Sequence, residues 1–293
     1  MRSRLLAVTG LLLLALPIWG CRKGEEKLQP VARASLSVSR TQAALGSPID
    51  LTYQFVVAPA APRFEYDYRV FVHVLDADRE LMWTDDHFPP IPTTRWKRGE
   101  TIKYTRTRFI PVYPYVGEAS IEIGLHGGPT GARLPLEGVD RGQRQYKVAT
   151  LQLLPQTENI FLIYKEGWHP SEVAPDNATV EWQWTRKEAS VTFRNPRRDA
   201  TLYLDVGGRP PFVTDPQVVS VRLGDLALDT FPLERDELIR KVPVQAAQFG
   251  PSDIVEMKIG VDRTFVPALI PASNSKDLRE LGIRVFHVFV EPR

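Results

Sequence analysis

The chain is divided into short runs in which apolar and polar residues alternate. In its first half these are SLSVS, IDLTYQF, YRVFVHVL, TIKYTRTRFI, ASIEIGL and KVATLQLL, each bounded by Pro, Gly or Asp clusters. A period of two sends successive side chains to opposite faces, the pattern of a strand buried on one side. In ASIEIGL, Ile121, Ile123 and Leu125 share one face, whereas YRVFVHVL is apolar on both and predicts a central strand. A second set follows: IFLIY, TVEWQW, SVTF, TLYLDV, VVSVRL, LALDTF, IVEMKIG and IRVFHVFV. Two stretches predict short helical turns instead. One is 236–248, interrupted by Pro243; the other is SKDLRELG, with Ser275 as cap and Gly282 as stop. The predicted fold class is all-β, with two antiparallel β-sandwich domains. The first, at 33–155, is expected to be immunoglobulin-like and the second, at 156–293, jelly-roll-like, with a joint at 156–159.

The first residues form a different kind of segment. Arg2 and Arg4 precede an apolar run from Leu5 to Ile18, which closes on Trp19, Gly20 and Cys21. That run is short for a membrane-spanning helix and has a small residue at its end. It resembles a bacterial lipoprotein signal (1–20), in which the cysteine after a small residue becomes acylated; Trp19 is an unusual occupant of that pattern. Cys21 is the single cysteine of the chain, so acylation would leave no thiol for catalysis, zinc or a disulfide. Residues 21–32 would then be the lipidated cysteine and a charged tether, RKGEEKLQP. Two or more acyl chains hold a protein stably on a membrane. With Arg22 rather than aspartate after the cysteine, the resemblance to diderm lipoproteins implies the outer membrane, facing periplasm or exterior.

Composition adds exclusions. In 293 residues, 43% hydrophobic and 25% charged, there is material for two cores in a soluble globular part. The 25 prolines and 19 glycines suit turns between short strands better than long helices. The net charge of +2 falls to neutral when Arg2 and Arg4 leave with the signal. No stretch interleaves dense Lys/Arg with aromatics, so nucleic acid is not an expected partner.

Two resemblances cover most of the mature chain. FVHVLDADRELMWTDDHFPPIPTTRWKRGE with VGEASIEIGLH is similar to a β-sandwich module of bacterial membrane-bound glycosyltransferases. The second half, through GWHPSE, the QWT strand, GGRPP, the segment 265–267 and RELGIRVFHV, resembles a module at the extracytoplasmic C-termini of such transferases. The membrane-spanning and catalytic regions of those enzymes have no counterpart here. The resemblance therefore implies accessory sandwich modules without transferase activity.

The candidate chemistry is sparse. WTDDHFPPIPTTRW at 83–96 gathers Asp85, Asp86 and His87 between two tryptophans. As ligands they would need further groups converging from other segments, such as His73 and His126 on neighbouring strands. The plainer expectation is a stiff loop in which Asp85 and Asp86 accept backbone N–H bonds and Trp96 caps one end of the core. Such a loop on a rigid scaffold is still a place for ligand contact. Adjacent carboxylates on a strand point oppositely and cannot flank one glycosidic bond. No G-x-S-x-G, Walker loop or H-E-x-x-H occurs, so no catalytic residue, metal or cofactor is assigned.

Tryptophans are the better ligand contacts, because flat rings stack on sugars while polar neighbours fix the hydroxyls. Trp182 and Trp184 share a strand face, opposite Glu181 and Gln183. Trp184, which matches the relatives' pattern, is expected in the core. Trp182 and Trp168 are expected at a ligand, with Arg209 of GGRPP as a polar contact or a partner of a neighbouring carboxylate. Asn177-Ala178-Thr179 fits a glycosylation pattern, to which no role is given. The expected function is a non-catalytic, lipid-anchored envelope protein that binds carbohydrate or another envelope component. The alternatives are an adaptor that holds a protein partner and, third, a glycan-acting or metal-dependent hydrolase using 85–87.

Overall fold

The computed structural model describes residues 29–156, 162–175, 177–207, 210–234 and 238–293. Its fold is all-β. In the first half the strands are β1 (Ala32–Val38), β2 (Gln42–Ala44), β3 (Pro48–Val57), β4 (Tyr68–Leu75), β5 (Leu81–Thr84), β6 (Thr101–Phe109), β7 (Gly117–Gly127), β8 (Ala132–Leu134), β9 (Leu136–Glu137) and β10 (Tyr146–Leu154). One sheet runs β6-β3-β1-β9 and the facing one β2-β10-β7-β4-β5, with β8 on the end of β7. Between them lies a core made by the alternation: Ile49, Leu51, Tyr53, Phe55 and Val57 from β3 meet Val70, Val72 and Val74 from β4 and Ile121, Ile123 and Leu125 from β7.

The outer face of β4 and β7 is also covered, which is why YRVFVHVL reads as apolar on both sides. Phe71 lies under the guanidinium of Arg133 at 4.4 Å. A Cβ on Gly124 would come within 2.3 Å of the Phe71 ring and 2.7 Å of the Arg144 carbonyl, so only glycine lets both lie on the sheet. Beside it the fully buried Glu122 is met by Arg79 at 3.1 Å.

The second half contains β11 (Leu162–Tyr164), β12 (Glu172–Ala174), β13 (Asn177–Trp184), β14 (Glu188–Arg194), β15 (Ala200–Gly207), β16 (Val218–Leu223), β17 (Leu226–Pro232), β18 (Leu238–Val244), β19 (Ile254–Val261) and β20 (Arg284–Pro292). They form the sheets β11-β14-β19-β16-β17 and β12-β13-β20-β15-β18, closed over a second core of Val191, Phe193, Leu202, Leu204, Val221, Met257, Ile259 and Val285. Of the expected joint at 156–159, only Gln156 is among the described residues.

Neither predicted helical turn forms as such. Leu238–Val244 is an edge strand paired with β15, and only Ala246–Phe249 makes a 3-10 turn. Val242 and Val244 reach the core at alternate positions, and Pro243 is tolerated because an edge strand has one unpaired side. SKDLRELG forms no helical turn. Leu281 bridges Phe265, and Leu281 and Ile283 are buried at a spacing of two. A Cβ on Gly282 would lie 2.5 Å from the Arg186 carbonyl, so the chain is pressed against its neighbour as a strand would be.

One end of the first sandwich meets the outer face of the β18-β15-β20 sheet of the second. Arg40 binds Glu291 at 2.6 Å, Lys241 binds Asp50 at 2.6 Å, and the Phe109 ring stacks on His287 at 4.4 Å and 9°. All three first-sandwich residues sit at the end of their strands opposite the one where the chain enters β1.

Candidate functional site

In the stretch 83–96, the chain after β5 does not leave as a loop at once. Asp85 N–H donates to the Val72 carbonyl, and His87 exchanges both backbone bonds with Val70, so the segment continues the sheet past β4. This ladder turns Asp85 inward. Its carboxylate accepts from Tyr53 Oη at 3.1 Å, from Arg106 Nε and Nη2 at 3.2 and 3.0 Å, and from Arg108 Nε at 2.5 Å. Asp86 accepts the Val72 N–H at 3.0 Å.

His87 is 6% exposed, and both its ring nitrogens are engaged. Nδ1 donates to the Asp85 carbonyl at 2.7 Å and Nε2 accepts from Tyr104 Oη at 2.8 Å. Burial holds the imidazole below its usual pKa, against the opposing pull of Asp85. Burial, and then the Asp85 charge, push the Tyr53 and Tyr104 hydroxyls well above the ordinary phenol range, so both stay donors. His73 and His126 flank Phe71 on the other face of the sheet, at 5.1 and 6.0 Å, and do not join His87. Among the described residues no three His, Cys, Asp or Glu side chains come together to hold a metal. Asp85 and His87 thus have their hydrogen-bonding capacity consumed by the scaffold. Trp96 is in the core, against Phe55 at 5.2 Å and Phe64 at 5.7 Å, with its indole N–H on the Ile91 carbonyl.

A large concave feature lies between the sandwiches. It is a cleft in two continuous parts, of about 660 and 1370 Å³, which share Trp83, Glu181, Phe286 and His287 in their walls. The smaller part adds Asp85, Asp86 and Arg108 from the first sandwich and Asp205 from the second. The larger adds Tyr113, Tyr164, Trp182 and Phe289. A smaller hollow of about 410 Å³ at Arg194–Arg198 is a turn without aromatic walls.

A β-bulge shapes the far wall. Asp205 pairs with His287 but Val206 pairs with Val285, leaving Phe286 as the extra residue. The buried positions accordingly shift from Ile283 and Val285 to Val288 and Val290, and Phe286 and His287 turn into the cleft. His287 Nδ1 lies 3.1 Å from Asp205, which fixes the ring against Phe109.

Trp182 stands 6.0 Å from Phe286, and the Arg284 guanidinium lies between it and Trp184, 5.6 and 5.8 Å from the two rings. Trp184 is 9% exposed and packed on Phe265, whereas Trp182 is half-buried at the cleft, with an indole N–H that has no acceptor among the described residues. Trp168 does not line the cleft. Its N–H donates to the Ser190 carbonyl at 2.8 Å, and its ring supports Tyr164, which does line it, at 4.7 Å. Cys21 and Arg209 lie outside the described residues. The structure thus brings Trp182, Asp85 and Asp86 to one cleft and leaves Trp168, Trp96 and His87 in supporting positions. Sequence reasoning missed Trp83, Phe286 and His287 as wall residues; the one signal for the last two is the slip in alternation within IRVFHVFV.

No family model and no curated protein matches the chain. Solved structures with some similarity include carbohydrate-binding modules. The tandem CBM22-1-CBM22-2 of Xyn10C from Paenibacillus barcinonensis has 10% identity over 89% of this chain and 93% of that one, with a TM-score of 0.27. A family 35 carbohydrate binding module from an environmental isolate has 11% identity over 44% and 91%, with a TM-score of 0.27. The alkylpurine DNA glycosylase AlkC of Pseudomonas fluorescens has 12% identity over 42% of this chain and 30% of that one, with a TM-score of 0.24, so the chain spans less than a third of it. TM-scores this low carry no argument about ligand or activity.

Proposed function

We propose that this chain is a non-catalytic envelope protein, anchored by acylated Cys21, that binds a carbohydrate chain in the cleft between its two sandwiches. The observation that carries the reading is the cleft wall itself: Trp83, Trp182 and Phe286 line it together with Glu181, Asp86 and His287. Rings stack on the C–H faces of pyranoses, and carboxylates and imidazole take the hydroxyls. An elongated cleft suits several residues of a polymer better than one small molecule. The carboxylate most deeply set beside it, Asp85, is neutralised by two arginines, which suits a scaffold rather than an acid or base.

The test is a tryptophan-fluorescence titration of the protein with polysaccharides from its own envelope. A saturable shift is expected, weakened at least tenfold in Trp182→Ala (about 1.4 kcal/mol or more) and unchanged in Val139→Ala, an exposed position remote from the cleft walls. Equal affinities in all three proteins would exclude the cleft, and the absence of any shift would leave a protein partner as the ligand.

A further inference from the structure

A second surface lies at the opposite end of the first sandwich. The chain enters there: Val31 N–H donates to the Pro135 carbonyl, Ala58 N–H donates to Val31, and Ala32 pairs with Val57 at the end of β3. The same end carries a rim built from 63–69 and 88–98. Thr93 Oγ1 donates to the Tyr66 carbonyl and accepts the Tyr68 N–H, Thr94 is held by Asp67, and Arg98 Nε donates to the Ala61 carbonyl. Trp96, locked in the core, fixes the rim from beneath.

What this rim exposes is unusual for a soluble edge. Phe88 is 58% exposed, Ile91 45% and Tyr66 43%, with Pro90 between the first two. Scattered apolar residues need no explanation, but here they share one rigid turn with basic neighbours. Arg69 lies over the Phe88 ring at 5.3 Å, and Arg63, Arg95, Lys97 and Arg98 are exposed around it. Of the two acids on the rim, Asp67 binds the rim's own backbone, leaving Glu65. Apolar tips ringed by Lys and Arg are the composition of surfaces that sit at the headgroup boundary of an anionic bilayer.

We infer that this rim rests on the anionic phospholipid surface that holds the acyl chains of Cys21, with Phe88 and Ile91 at the level of the headgroups. The inference depends on the anchor reading above for its geometry. Ten Cα-to-Cα steps lead from Cys21 to Val31, which at full extension reach at most about 36 Å, roughly the length of one long strand. The rim is therefore the part of the described fold nearest the bilayer. The interdomain cleft begins at Arg69, a wall residue whose guanidinium lies over the Phe88 ring, and runs from there toward the second sandwich. The surface thus adds an orientation to the molecule, with the second sandwich on the side away from the membrane.

The test exploits the single cysteine. In the acylated full chain Cys21 is blocked, so an environment-sensitive dye goes only to an introduced thiol, Pro90→Cys on the rim or Leu278→Cys, which is 77% exposed on the second sandwich. In vesicles of phosphatidylcholine with phosphatidylglycerol, the dye at 90 should shift to the blue and lose several-fold in iodide quenching, while the dye at 278 stays fully quenched. Phe88→Ser with Lys97→Glu should restore quenching at 90, as should vesicles of phosphatidylcholine alone. Equal quenching at both positions, with Cys21 shown by mass to be acylated, overturns the inference and leaves the anchor standing. If the mass shows no acyl group, the anchor reading fails by itself. The same dyes in a Cys21→Ser chain mixed with anionic vesicles then decide the surface: protection at 90 upholds it and its absence overturns it.

Discussion

The two sandwiches treat polar and aromatic residues in opposite ways. The first takes its densest polar sequence, 85–87, and folds it inward. Asp85 is bound by Tyr53, Arg106 and Arg108, and His87 is closed off by Tyr104. The second takes a stretch that reads as ordinary strand, Phe286–His287, and turns it out into the cleft by a one-residue bulge. Density of chemical groups along a sequence is therefore a poor guide to availability. A carboxylate that has gathered two guanidiniums has no capacity left for a ligand, whereas a ring pushed out of register reaches the cleft wall.

The sharpest way to break this comparison is Asp85→Ala. It leaves two arginines and a tyrosine hydroxyl in the sandwich without their acceptor, and breaking such a buried pair costs about 3–5 kcal/mol. Because Arg106 and Arg108 keep 23% and 34% of their side-chain exposure, water relieves part of this, and the lower end of that range is expected. A denaturant titration measures it. Glycan affinity at temperatures where the variant is still folded should be close to wild type; a selective loss of affinity would make Asp85 part of the binding site after all.

Next in size is the contrast between the two tryptophans of β13. Trp184→Ala should destabilise by about 3 kcal/mol, the cost of removing a buried indole that cannot be refilled. Trp182→Ala, partly buried and lacking a hydrogen bond to lose, should cost about 1 kcal/mol or less, with its effect falling on ligand affinity. Paired thermal melts and fluorescence titrations separate the two. Equal destabilisation by both would place Trp182 in the core as well and remove the main ring from the cleft.

This pair also shows how much was legible. Alternation predicts the strands of both sandwiches because each buries every second residue, and parity alone puts Trp182 and Trp184 on one face. What parity does not give is where the second core ends, which is set by Phe265 coming from a distant segment to cover Trp184 and not Trp182. The partners of Asp85 are hidden for the same reason. Tyr53, Arg106 and Arg108 become its neighbours only because β3 and β6 lie side by side on the facing sheet, and nothing local encodes that. The segment 238–244 reads as helical because Leu, Arg and Lys are helix formers; its pairing with β15 and the burial of Val242 and Val244 override that preference.

The smallest effect separates the buried cluster from the seam between the sandwiches by pH. His87 has its folded-state pKa depressed, mainly by burial, so the unfolded chain takes up the proton more readily. Its contribution to stability is complete above about pH 6.5 and is lost as pH falls below that value toward the folded pKa, at up to about 1.4 kcal/mol per pH unit. Asp50 at the seam behaves otherwise. Burial raises its pKa, but Lys241 and Thr107 outweigh burial and hold it below the usual carboxylate range. Its contribution is complete above about pH 4 and is lost only as pH falls further. Denaturant midpoints followed from pH 7.5 down to 5 should therefore decline in the wild type through the His87 window and flatten in His87→Gln, while Asp50→Asn leaves the decline intact. A decline that survives in His87→Gln would mean that some other group titrates there, and that the imidazole enclosed by Tyr104 and the Asp85 carbonyl is not the pH-sensitive element of the first sandwich.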